Sequence, residues 1–184
     1  MERIKKLIRY SDKIVIANDS PLKYLHKIDQ LYILSQLFNQ VYITETVRKK
    51  CKFEMPPWMI IKEPLQEIKY LLSETKINDK CERSAVGLVI QLETLQMYNI
   101  VKTNQCLILV DKKVKNAKVT KEYSIDCINL RDIFSLAYYK NIFTKDEGIK
   151  MLKKISRAFT NNDLNYIFSK RVAKELNNYQ GAKL

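Results

Sequence analysis

Residues Lys13–Lys49 read KIVIANDSPLKYLHKIDQLYILSQLFNQVYITETVRK. The segment opens on a β-branched run, Ile14-Val15-Ile16, and turns at Asn18-Asp19-Ser20-Pro21. Pro21 suits the opening of a helix. Leu22, Leu25, Ile28, Leu31, Leu34, Leu37 and Phe38 then recur at helical spacing. A second short strand follows at Val41–Ile43, and Thr44 caps a helix running through Lys50. An acid-bearing turn at the carboxyl end of a buried strand is where open α/β sheets place their sites.

The rest of the chain continues the alternation. Met55-Pro56-Pro57 breaks it, Trp58–Ile61 reads as a short strand, and Pro64–Glu74 has helical spacing at Leu65, Ile68, Leu71 and Leu72. A longer helix, Glu82–Tyr98, starts at Asp79 or its neighbours and carries Ala85, Leu88, Val89, Leu92 and Leu95 on one face. The unalternated run Cys106–Val110, followed by Asp111, suits a parallel strand covered on both faces. Ser124–Ile128 is another strand, and Asn129 caps a helix reaching Tyr139. Thr144 and Glu147 form a capping box for Lys145–Phe159, and a last helix spans Asn162–Asn177.

The fold class is therefore α/β, with a central parallel sheet of four or five strands and extra C-terminal helices. The strands Lys13–Ala17 and Cys106–Val110 are expected side by side. Residues 1–155 form the α/β domain, and 156–184 a helical extension packed on it.

A chain of 184 residues with 46% hydrophobic content can bury a full core. No apolar run approaches the ~20 residues needed to cross a bilayer, and the N-terminus lacks a signal-peptide core. The reading is a cytoplasmic protein without membrane partners. A net charge of +13 favours a polyanion, through counterion release. Cys51, Cys81, Cys106 and Cys127 are far apart and form no CxxC pair, which argues against zinc. His26 is the only histidine, so histidine-based triads have little support.

Three acids fall at element ends that a parallel sheet would gather: Asp19, Glu82 and Asp111. Carboxylates so placed can hold Mg²⁺ or Mn²⁺ and leave positions open for water and phosphate. Two basic groups border them: Arg48, Lys49, Lys50 and Lys52, and then Lys112, Lys113, Lys115 and Lys118. Both groups fall at carboxyl ends of strands and mark a nucleic-acid face. Tyr24, Tyr32 and Tyr70 read as helix packing.

The ordered motifs resemble a subgroup of PIN domains. They are Asn18-Asp19-Ser20-Pro21-Leu22, Leu37-Phe38-Asn39-Gln40-Val41-Tyr42-Ile43-Thr44-Glu45-Thr46-Val47, Cys81-Glu82-Arg83-Ser84-Ala85-Val86-Gly87-Leu88 and Leu107-Ile108-Leu109-Val110-Asp111-Lys112. The likeness spans roughly residues 12–155. It implies a three-layer α/β/α nuclease fold, Mg²⁺ or Mn²⁺ on Asn18, Glu82 and Asp111, and catalytic roles for Glu82, Asp111 and Asp19. It also implies RNA in preference to DNA, and a toxin-like endoribonuclease.

The chain departs from the pattern at three places. The first-motif aspartate falls on Asn18, an expected acid falls near Lys49 or Lys50, and the second aspartate after the last strand is Lys112. Three functions stay open: an endoribonuclease with a weakened site, a catalytically inactive PIN-fold module that binds RNA, DNA or a protein, and a scaffold whose C-terminal helices pair with another chain. The protein partners left open are an antitoxin, another protein and a second copy of the chain.

Overall fold

The computed structural model describes residues 13–73, 77–97, 106–109, 125–155, 164, 167 and 168. Along the chain these form β1 (Ile14–Ala17), α1 (Asp19–Lys27), α2 (Tyr32–Leu37), β2 (Gln40–Ile43), α3 (Glu45–Cys51) and β3 (Met59–Ile61). There follow α4 (Gln66–Ser73), α5 (Lys80–Met97), β4 (Cys106–Leu109), β5 (Asp126–Ile128), α6 (Leu130–Tyr139) and α7 (Lys145–Lys154).

The five strands are all parallel, in the order β3-β2-β1-β4-β5. As expected, β1 and β4 are neighbours: Ala17 lies opposite Leu109, and the Asn18 N–H donates to the Leu109 carbonyl at 2.9 Å. The chain winds one way from β1 to β3 and the other way from β4 to β5. The β1/β4 boundary is thus the switch point of the sheet, and the carboxyl ends there, where open α/β sheets place their crevice, form the candidate site.

β1 is apolar throughout because both of its faces are covered. Val15 and Ala17 join the core under α1, α2, α6 and α7. Ile14 and Ile16 join the other core, under α5 and Leu72 of α4. All four residues are at most 2% exposed. Burial of each of the large ones contributes roughly 1.5–3 kcal/mol. The result is a three-layer α/β/α fold.

Local capping sets most of the helix starts. Thr44 Oγ1 accepts from the Val47 N–H, as expected. Asn129 with Asp132, and Thr144 with Glu147, form complete capping boxes.

The apolar spacing from Leu22 to Phe38 does not form one helix. α1 starts at Asp19, with Asn18 as its cap and Pro21 inside its first turn. It ends in a Schellman motif: Gln30 N–H bonds to the Leu25 carbonyl, Asp29 N–H to the His26 carbonyl, and Asp29 takes φ 57°. Aspartate tolerates this left-handed conformation better than most residues do. The apolar period survives across the break, so periodicity alone does not reveal it.

Tyr70 and Tyr32 also depart from expectation, being 73% and 41% exposed, while Tyr24 packs partly against the core. Of the last expected helix only Leu164, Ile167 and Phe168 are described. Ile167 is fully buried, and Phe168 lies edge-on to Tyr138 at 5.2 Å. Among the described residues no helix is long and apolar enough to cross a membrane.

Candidate functional site

The crevice is built from the starts of two helices and the end of a third. α1 follows β1 directly. Asn18 Oδ1 accepts the Asp19 N–H at 2.9 Å, so this amide is turned onto its own helix. The cap points α1 away from the carboxyl edge and leaves Asp19 in its first turn, only 4% exposed. A carboxylate so buried must be paired. Lys23, one turn on, donates to Asp19 Oδ2 at 2.8 Å, and Lys50 Nζ lies 3.5 Å from the same oxygen.

α5 leads back toward the amino end of β4, so its N-terminus comes to the same edge. Asp79 is its cap: Oδ1 accepts the N–H groups of Cys81 at 2.8 Å and Glu82 at 3.1 Å. Asp79 Oδ2 accepts from Lys50 Nζ at 2.9 Å. Burial alone would raise the Asp79 carboxyl. The Lys50 hydrogen bond and the two capping amides outweigh that and hold it below the usual aspartate value. Glu82 moves the other way: burial, then the nearby Asp79 charge, raises its carboxyl.

α3 brings Lys50 to this edge. Thr44 Oγ1 meets Ser84 Oγ at 2.7 Å, and Cys81 Sγ lies 3.8 Å from the Thr46 carbonyl. These contacts fasten the start of α3 to α5. The Lys50 ammonium is held well above the ordinary lysine value, by the Asp79 hydrogen bond first and then by Asp19 against the opposing effect of burial. Burial and the Asp19 charge push the Cys51 and Cys81 thiols up to about 11 each.

Asp19, Asp79 and Cys81 place one ligand atom each within 4.8 Å of one another, close enough to share an ion. As arranged, however, these donors do not fit Mg²⁺ or Mn²⁺. Such ions take hard oxygen ligands, close to octahedral for Mg²⁺. Here both carboxylates carry lysine ammoniums, the third donor is a protonated thiol, and the Asn18 oxygen is already bonded to its own helix.

Of the residues singled out in the sequence, Asn18 and Asp19 lie together at the end of β1, and Glu82 lies half-buried beside Asp79. Asp111, Lys112, Lys113, Lys115 and Lys118 lie outside the described residues. Arg48 is bound to Glu45 through Nε at 2.7 Å. Lys49 is 72% exposed and stands 3.8 Å from the same carboxylate. Lys52 follows α3 in the left-handed conformation and is exposed. Lys50, where the resemblance placed an acid, instead carries a positive charge to two acids.

Asp79, Cys81 and Lys23 were not singled out as site residues. An aspartate just before a long amphipathic helix was the available signal for Asp79, because a helix returning to the next parallel strand begins at the carboxyl edge. The i,i+4 spacing from Asp19 was the available signal for Lys23, and nothing local pointed to Cys81.

No curated protein and no solved structure matches the chain. A family model described as a PIN domain matches residues 14–115, more than half of the sequence. The matched span runs from β1 across β4 and takes in every described residue of the crevice. With the all-parallel five-stranded sheet between two helical layers, this match shows that the chain belongs to the PIN-domain family.

Proposed function

We propose that this protein is a PIN-fold nucleic-acid-binding module that binds single-stranded RNA without needing a divalent metal. The observation that carries the reading is the Lys50 ammonium lying on both Asp19 and Asp79. Uncompensated carboxylates at the switch point would repel a phosphate backbone. Lys23 and Lys50 neutralise them, and the exposed Lys49 and Lys52 stand nearby on and after α3. The net charge of +13 gives such a surface its long-range attraction for polyanions. Lys112, Lys113 and Lys115, following β4 in the sequence, belong to the same proposed face.

The second reading is a metal-dependent endoribonuclease, favoured by the closeness of Asp19, Asp79 and Cys81. On that reading Lys50 leaves the carboxylates, and Asp19, Glu82 and Asp111 hold Mg²⁺ or Mn²⁺ with Asn18 as a neutral ligand. An antitoxin, another protein or a second copy would then be the controlling partner. Residues 156–184 are proposed as a helical extension of the 1–155 domain.

A labelled single-stranded RNA, incubated with the protein in EDTA and in Mn²⁺, separates the readings. The binding module retains the RNA equally in both and leaves it intact. Cleavage that needs Mn²⁺ and disappears in Asp111→Ala overturns it.

A further inference from the structure

We infer that the Lys50 ammonium is itself the cation of this crevice: it fills the gap between Asp19 and Asp79 and holds that gap against Mg²⁺ or Mn²⁺. The Asp19 and Asp79 ligand atoms are within 4.8 Å of each other, and Lys50 Nζ stands 3.5 Å from one carboxylate and 2.9 Å from the other. An ion shared by the two would need the same space, at metal–oxygen distances of about 2.0–2.2 Å.

The charges agree with the geometry. Two ammoniums, Lys23 and Lys50, face the carboxylates of Asp19 and Asp79, so these four groups balance before any metal arrives, and Glu82 beside Asp79 is a further acid. A dication entering would meet Lys50 at a few ångströms, where like-charge repulsion is large in a partly buried site. Lys50 is also reached from a separate element. It lies 29 residues from Asp79 in sequence and 31 from Asp19, so its arrival depends on the docking of α3 against α5. The lysine stem is about half exposed, and burial does not force the ammonium into the crevice. The two carboxylates draw it there.

This inference deepens the binding-module reading by assigning the cation of the same crevice. The experiment contains no RNA, so its failure is distinct from a failure to bind nucleic acid. Free Mn²⁺ is followed by its paramagnetic resonance signal during titration with the full-length wild type, Lys50→Met, Lys50→Arg, Asp79→Asn and the Lys50→Met/Asp79→Asn double variant. Wild type and Lys50→Arg should leave Mn²⁺ free where Lys50→Met binds one ion, with affinity raised about tenfold or more as the competing charge is removed. The double variant should lose that ion.

Wild type holding one Mn²⁺ that Asp79→Asn releases overturns the inference. So does a folded Lys50→Met, with unchanged circular dichroism, that binds none. If Lys50→Met does not fold, wild type and Asp79→Asn still decide. Mn²⁺ on the wild type that depends on Asp79 is contrary, and none bound is the expected result.

Discussion

Lys50 and Asp79 meet at 2.9 Å across the carboxyl edge of the sheet, joining the end of α3 to the N-terminal cap of α5. Both side chains are somewhat under half exposed, so the ion pair by itself contributes at most about 1 kcal/mol. Asp79 does a second thing. Its other oxygen closes two amides at the start of an 18-residue helix, and that cap does not depend on charge.

Asp79→Ala should therefore cost about 1–2 kcal/mol, the range for loss of a helix cap plus a weak pair. For a chain of this size that lowers Tm by roughly 2–8 °C. Asp79→Asn retains a capping oxygen and should cost less than about 1 kcal/mol. Thermal unfolding of both variants checks this. Equal losses in the two would show that the pair, and not the cap, dominates.

The acid limb of stability should carry opposite signatures from Asp79 and Glu82. The Asp79 carboxyl is depressed in the fold. Its contribution is therefore present above the unfolded value of about 3.9 and lost as pH falls through the folded value. Glu82 is raised, by burial and then by Asp79. Its contribution is full below the unfolded value of about 4.3 and is lost as pH climbs through the folded value. Urea midpoints measured across this range should show a shallower acid decline in Asp79→Asn. Glu82→Gln should gain on the wild type as pH rises past the folded Glu82 value. Parallel curves for all three proteins would contradict both assignments.

Gly148 is required by two phenylalanines. A Cβ there would stand 2.7 Å from Phe143 Cε2 and 2.8 Å from Phe168 Cζ. Neither ring is free to retreat cheaply: Phe143 packs on Phe134 at 5.7 Å, and Phe168 on Tyr138 at 5.2 Å. Alanine gains up to about 1 kcal/mol of helix preference, but overpacking typically costs about 1–3 kcal/mol. Gly148→Ala should therefore melt below the wild type. An unchanged or higher Tm would show that the rings move aside freely.

Much of the scaffold was legible because its causes are local. IVIA in β1 is apolar without alternation because both faces are buried, and the caps at Thr44, Asn129 and Thr144 act within three residues. The break at Asp29 was not legible. Leu22, Leu25, Ile28, Leu31, Leu34 and Leu37 keep a spacing of three straight through it, and the signal was one residue that tolerates positive φ.

The site was read in part. Asn18, Asp19 and Glu82 were placed at the correct edge because strand ends and helix starts locate them. Lys50 was read as a phosphate contact within a basic run, and nothing in the sequence around it shows that it turns toward two acids. Those acids are 31 and 29 residues away, and the pairing exists only once α3 docks on α5. Asp79 was read as a helix start and not as a member of the site for the same reason.

Anisotropy of a fluorescent single-stranded RNA, titrated with the wild type in EDTA over a series of salt concentrations, tests the central claim most directly. The account predicts binding at low salt without metal, weakening linearly in log–log form by about 0.7 per phosphate contacted. Lys49→Glu, which reverses an exposed charge and leaves the Lys50 contacts in place, should weaken binding and make the slope shallower. No binding in EDTA at low salt, or binding that appears only when Mn²⁺ is added, would contradict it.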